Sequence, residues 1–219
     1  METLRVGVLA SGTGSNFTAI DDAIGRENIN AEIVVVVCNR VDEPVIGKAT
    51  HRKIPVEILE HRLYKDRAAF DQAVAGVLQA HRVSLVALAG FDRLVTNVLL
   101  DRFADRVINI HPALLPAFPG TDAQAQAAEY GVAITGATVH LVDEKLDHGP
   151  IIAQAAVPVQ PGESAETIRA RILEQEHKLY PSVIRLFAED RVRVRGRMVT
   201  VDGAEPSSDV LFSPPLAAD

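Results

Sequence analysis

The stretch that decides the fold is LRVGVLA at residues 4–10, which runs directly into SGTGSN at residues 11–16. The first seven residues are almost continuously apolar, the pattern of a strand buried on both faces and hence of a parallel sheet. The next six carry two glycines and open a segment, Ser15 to Arg26, whose apolar residues recur at helical spacing. Strand, glycine turn and helix together make the first half of a βαβ unit. Working outward, Ala31 to Cys38 (AEIVVVVC) and Leu85 to Ala89 (LVALA) repeat the buried-strand pattern. Glu43 to Arg52 and Lys65 to His81 repeat the helical one, with Phe70, Val74, Val77 and Leu78 on a single face. This alternation predicts an α/β fold, a mostly parallel, twisted, Rossmann-like sheet with right-handed crossovers and helices on both faces. Ile54 to Leu59 reads as a weaker strand, and a helix around Thr96 to Phe103 precedes a short strand, Val107 to Ile110.

After residue 110 the pattern changes. Pro112, Pro116 and Pro119 punctuate a loop, and a helix is expected from about Thr121 to Tyr130. Ala137 to Val142 and Ile151 to Val157 alternate as strands across the loop Asp143 to Pro150, which predicts a partly antiparallel C-terminal portion. A long helix should start after Ser164 as N-cap, with Pro181 kinking or dividing it. Arg191 to Val201 reads as a small hairpin, and the proline-bearing residues 203–219 as a flexible tail. The expected organisation is one domain over residues 1–202, with an N-terminal phosphate-binding half of about 1–105 and a second half of about 106–202.

Composition removes several classes of function. With 219 residues, 47% hydrophobic and 23% charged, the chain has a globular balance and room for one core. A net charge of -7 lacks the basic field of a protein that tracks nucleic acid. No apolar run reaches the roughly 20 residues of a membrane span, and Met1 to Ala10 has no basic region ahead of its apolar run, so a signal peptide is not expected. The lone Cys38 reads as a strand residue with no disulfide partner. The expected location is the cytoplasm.

The glycine loop is a candidate anion cradle, because backbone N–H groups at a helix N-terminus attract negative charge. The same glycines also fit a tight turn with no ligand. Phe17 stands where a dinucleotide fingerprint needs its third glycine, and Asn39 where it needs an acidic residue. A Gly-Lys-Ser/Thr ending is also absent, which leaves a small phosphate or sugar phosphate as the ligand class. Farther along, Asn109 and His111 are two apart on one strand and point to the same side. An amide can donate to a developing oxyanion, and an imidazole can donate when charged. A carboxylate partner that would raise the histidine pKa could come from Asp143, Glu144 or Asp147, and spacing does not choose among them. No Gly-x-Ser-x-Gly elbow and no His-x-x-x-His pair is present, so neither a hydrolase serine nor a metal site is expected.

Taken together, SGTGSN at 11–16, AGFDRL at 89–94, NIHPALLP at 109–116 and DHGPII at 147–152 closely resemble the folate-dependent formyltransferase family. Gln175, Glu176, His177, Tyr180 and Pro181 narrow the likeness to its branch acting on phosphoribosylglycinamide in purine biosynthesis. The resemblance implies Asn109, His111 and Asp147 as the catalytic trio, with Asp147 holding His111 protonated. It implies Gly14, Ser15, Asn16, Phe17, Thr18 and Glu176 as ribonucleotide-binding residues. It further implies Arg67, Asp92, Arg93, Leu94, Val95 and Asn109 as the folate site, with 10-formyltetrahydrofolate as co-substrate and no metal. The implied partners are small molecules, with no nucleic acid and no membrane, for a monomer or homodimer. The chain departs from the family pattern at Asp92, where an apolar residue is common, and at Thr121-Asp122-Ala123-Gln124, where a more basic stretch is usual. A relative acting on methionyl-tRNA should carry a further basic C-terminal domain, and a 10-formyltetrahydrofolate hydrolase an N-terminal regulatory domain ahead of a first strand that begins here at Leu4.

Overall fold

The structure is a computed structural model and describes residues 2–205 together with Ser213. The flexible tail expected over 203–219 lies almost entirely outside the described residues. A seven-stranded sheet forms the centre. It is built from β1 (Leu4–Ala10), β2 (Ala31–Cys38), β3 (Val56–Ile58), β4 (Leu85–Leu88), β5 (Val107–His111), β6 (Ile134–Leu141) and β7 (Ile151–Pro158). Their order is β3-β2-β1-β4-β5-β6-β7. β1 to β5 pair in parallel, whereas β5–β6 and β6–β7 are antiparallel. The strand order reverses at β1 and β4, so the crevice that such sheets use for ligands opens above their carboxyl ends. A separate hairpin, β8 (Val192–Arg195) and β9 (Met198–Val201), follows.

Among the described residues, six α-helices cover the sheet. α1 (Ser15–Arg26), α2 (Pro44–His51) and α6 (Ala165–Ala188) bury Phe17, Ile20, Val45, Tyr180, Val183 and Ile184 against one face, where Val6, Val8, Ala10, Val36, Ile108 and Ile110 point. α3 (Arg67–Ala80) and the single turn α4 (Asn97–Leu100) bury Phe70, Val74, Leu78 and Leu99 on the other face, against Leu9, Val35, Val37, Val86 and Leu88. The period of two along each strand thus sends alternate residues into two cores, which is why β1 and β2 read as unbroken apolar runs. α5 (Ala123–Tyr130) follows the proline loop.

Three expectations are corrected. α6 is not divided at Pro181, although a proline inside a helix costs about 3 kcal/mol. The residues around it, Tyr180, Val183, Ile184 and Phe187, are all buried in the core, so packing outweighs the lost hydrogen bond. β6 begins three residues earlier than expected, at Ile134, because Gly136 belongs to the strand. A Cβ at that position would lie 1.9 Å from the Ala155 carbonyl oxygen, so a residue that reads as a turn signal is there for close strand packing. The segment Thr96 to Phe103 is less regular than its pattern suggests. It holds four α-helical residues followed by a 3-10 turn over Asp101–Phe103.

Candidate active site

The end of β5 places Asn109 and His111 on the face away from Ile108 and Ile110. Across the antiparallel ladder, Asn109 stands opposite His140 and His111 opposite Thr138. The loop from β6 to β7 brings Asp147 over them. Its carboxylate lies 3.3 Å from His111 Nδ1 and accepts from the Gly120 N–H at 2.8 Å. Its other oxygen is 3.4 Å from Asn109 Nδ2 and 3.7 Å from His140 Nε2. Of the three carboxylates that spacing left open, Asp147 is the one that meets His111. Asp143 instead pairs with His148, at 2.6 Å, and Glu144 accepts from Asn97 at 2.6 Å.

His111 is buried, with 4% of its surface exposed. Its Nε2 faces the Phe118 carbonyl at 2.8 Å, so that nitrogen carries a proton. Burial lowers the imidazole pKa below its ordinary value of 6.5, against the opposing pull of the Phe118 carbonyl and Asp147. Asp147 does pull this pKa upward, as a carboxylate partner is expected to, but desolvation of the cation outweighs its partners and the net direction is downward. The ring nevertheless has an acceptor at each nitrogen, and only the charged form can donate to both. For Asp147, burial acts to raise the pKa, but hydrogen bonding from His140 and the Gly120 N–H, with the charge of His111, brings it below 3.8. The carboxylate is thus kept ionised.

The Phe118 carbonyl and the Gly120 N–H come from the proline loop, which Thr138 and Gln154 anchor. Thr138 Oγ1 donates to Ala113 O at 2.7 Å and accepts from Leu115 N at 3.1 Å, and Gln154 Nε2 donates to Leu115 O at 2.9 Å. His140, Phe118 and Gly120 were not singled out by sequence. The signal for His140 lay in ATVHL at 137–141, where Val139 and Leu141 face one core and a buried histidine stands between them on the strand. Only the register against β5 shows what it touches.

A cleft of about 260 Å³ opens beside this group and is lined by Leu88, Asp92 to Val95, Asn109, His111, His140, Val142 and Leu146 among others. Asp92, Arg93, Leu94 and Val95 are thus brought to the same cavity as Asn109, His111 and Asp147. Arg93 keeps a buried Nε without a hydrogen-bond partner among the described residues. Arg67, the first residue of α3, is not among the lining residues. Asp92 lines the cleft too, while its carboxylate is bonded to Ser11, Asn39 and Arg40.

The glycine loop does not line that cavity but lies beside it. Gly14 precedes α1 in the left-handed region, at φ 68°, and no side chain caps the first turn. The N–H groups there are left for an anion. Lys48 donates to Thr13 O at 2.7 Å and so brings a cation to the loop. Asn16 Nδ2 donates to Glu176 at 2.8 Å, and its Oδ1 is buried without a partner among the described residues. Burial raises the Glu176 carboxyl pKa above 4.5 against the Asn16 hydrogen bond. Phe17 is wholly in the core, and Thr18 bonds back to Gly14 O, so these two shape the loop rather than face out of it.

Comparison with known proteins agrees with this architecture. The formyl transferase family model matches residues 4–184. The phosphoribosylglycinamide formyltransferase of Bacillus subtilis is 47% identical over 83% of this chain and 93% of its own. The trifunctional purine biosynthetic protein adenosine-3 of Bos taurus is 43% identical over 87% of this chain, which spans 19% of that longer protein. The crystal structure of glycinamide ribonucleotide transformylase 1 from Symbiobacterium toebii superposes with a TM-score of 0.89 at 47% identity, covering 91% of this chain and 94% of that one.

Proposed function

We propose a reaction for this chain from the premise that it belongs to the formyl transferase family: it transfers a formyl group from 10-formyltetrahydrofolate to the amine of 5-phosphoribosylglycinamide, a step of purine biosynthesis in the cytoplasm. The working unit is residues 1–202, with a phosphate-binding half of about 1–105 and a catalytic and folate-binding half of about 106–202. The observation that carries the reading is the meeting of Asn109, His111 and Asp147 at the wall of a cleft beside a glycine-turned helix N-terminus.

The amine attacks the formyl carbon and the carbonyl oxygen takes up negative charge. Collapse of the tetrahedral intermediate breaks the bond to the folate nitrogen, which leaves with a proton. Among the described residues Asn109 Nδ2 has two contacts, 3.2 Å to His140 and a long one of 3.4 Å to Asp147, so the N–H aimed at Asp147 is weakly held and can be given to that oxygen. His111 is the second stabilising group and acts through the charge of its protonated ring, since both ring nitrogens face protein acceptors. Burial disfavours its charge in the free site, and negative charge developing beside the ring favours it, so the protonated form is drawn out as the transition state is approached. Asp147, already ionised, orients the ring and relays the proton shed by the amine. Gly14, Ser15, Asn16 and Phe17 form the phosphate cradle, through backbone amides more than side chains, Thr18 closes its first turn through bonds to Gly14 O, and Glu176 reaches the glycinamide part. Arg93, Leu94 and Val95 hold the folate along the cleft, and Arg67 serves its glutamate end. The reaction needs no metal.

The test is an absorbance assay for tetrahydrofolate formation with and without the ribonucleotide. Product only in its presence is expected. Product without it would replace transfer by hydrolysis, and none in either case would refute the reading.

A further inference from the structure

The Asp92 carboxylate is the meeting point of three crossovers. Ser11 Oγ, at the end of β1, donates to Asp92 Oδ1 at 2.8 Å and accepts from the Asp92 N–H at 3.0 Å. Asn39 Nδ2, at the end of β2, donates to the same oxygen at 2.9 Å, and Arg40 forms an ion pair with the other. Ser11 and Asn39 are buried, at 5% and 1% exposure. Ser11 is also the first residue of the glycine loop, and its N–H donates to Gly90 O at 3.1 Å. Asp92 lies within the run, Gly90 to Val95, that lines the cleft. Burial alone would raise the Asp92 pKa, but bonds from Asn39 and Ser11 and the Arg40 charge bring it below 3.8, so the strut is ionised and neutralised in place.

We infer that Asp92 is a positioning residue that couples the two substrate half-sites, a role beyond that of a folate contact. This rests on the functional reading above. Its carboxylate has little capacity left for a ligand, since three protein donors occupy it. What it does is lock the first turn of the glycine loop to the backbone that carries Arg93 to Val95. Ordering either loop by its own ligand then orders the other, and the second ligand meets a lower entropic cost. Arg40 has a matching duty: it cancels a negative charge that would otherwise face the phosphate-binding loop.

The test is calorimetric titration of the full chain with glycinamide ribonucleotide, alone and in the presence of saturating tetrahydrofolate, a pair that cannot react. In the unaltered protein each ligand should tighten the other by about fivefold or more, the lower end of typical coupling. In Asp92→Asn the coupling factor should fall to near one. Ser11→Ala, which cuts the strut at its centre and leaves the Arg40 pair in place, should do the same and serves if Asp92→Asn fails to fold. Weaker binding of both ligands with coupling intact would mark Asp92 as merely structural and overturn the inference. Independent binding of both ligands to the unaltered protein overturns the inference while the functional reading stands. Failure of that protein to bind either ligand overturns both.

Discussion

Replacing Gly14 with alanine strikes the fold and the phosphate site at one atom. A Cβ there would lie 2.6 Å from Val45 Cγ2, 2.8 Å from its Cβ and 3.1 Å from its Cα. Val45 cannot retreat, because it is fully buried on α2 and its N–H is bonded to Gly12 O at 3.2 Å. Two costs add. Holding a non-glycine residue in the left-handed region at φ 68° costs roughly 1–2 kcal/mol, and overpacking a tight contact about 1–3 kcal/mol. The sum, about 2–5 kcal/mol, should lower Tm by about 5–15 °C in a chain of this size. A calorimetric or fluorescence melt measures it. The relief of strain must push α1 away from α2, which displaces the N–H groups of Ser15, Asn16 and Phe17. KM for the ribonucleotide should therefore rise tenfold or more, by the order that misplacing a binding group costs, with KM for the folate changing far less. Val45→Ala removes the Cγ2 contact but leaves the backbone angle. In the double variant, part of the overpacking cost should return as a favourable coupling of about 1 kcal/mol or more. An unchanged Tm and ribonucleotide KM in Gly14→Ala, or a cycle with no coupling, would refute this account of the loop.

Three other perturbations probe separate links. His111→Ala should reduce kcat on the order of 100- to 1000-fold, the usual cost of removing one group that stabilises an oxyanion, with both substrates still bound; near-normal turnover would remove the residue from the mechanism. Because the folded-state pKa of His111 lies below 6.5, its effect on stability appears as pH falls below 6.5, where the unfolded chain takes up the proton first, so the loss of Tm on acidification should be smaller in His111→Ala. For Glu176, the raised carboxyl pKa puts an acid limb above 4.5 in kcat/KM for the ribonucleotide, since protonation removes the charge that attracts the substrate amine. Glu176→Gln should lower the plateau and abolish the limb, and a pH profile that keeps it would assign the limb to another group. Tyr180→Phe removes a buried hydroxyl that reaches Leu88 O at 3.0 Å and Ile108 O at 3.1 Å, and should cost about 1–3 kcal/mol in denaturant melts. An unchanged midpoint would mean that those carbonyls are satisfied without it.

The parallel half of the fold was legible because burial on two faces leaves an unmistakable trace. β1, β2 and α1 have the bounds that LRVGVLA, AEIVVVVC and the amphipathic run after Gly14 predict. Legibility failed where one residue type served an unusual purpose. Gly136 reads as a breaker, yet it permits the approach of the Ala155 carbonyl inside a ladder. Pro181 reads as a divider, yet the burial of α6 on both sides of it holds the helix together.

The site divides in the same way. Asn109 and His111 could be paired from the strand period alone, because residues two apart share a side whatever the fold. The choice of Asp147 over Asp143 or Glu144 needed the path of an irregular loop. Spacing cannot supply that path, because Asp147 itself takes a positive φ of 48°. The net direction of the His111 pKa is not legible for a related reason. A sequence shows which partner a histidine has but not how far both are from water, and here burial outweighs a carboxylate 3.3 Å away. That imbalance has a chemical use. An imidazole fully charged at rest between Asp147 and the Phe118 carbonyl would offer its charge to the ground state and the transition state alike. One held below its ordinary pKa in the free site, with those acceptors in position, takes its proton when negative charge appears beside it, and so stabilises the transition state more than the ground state.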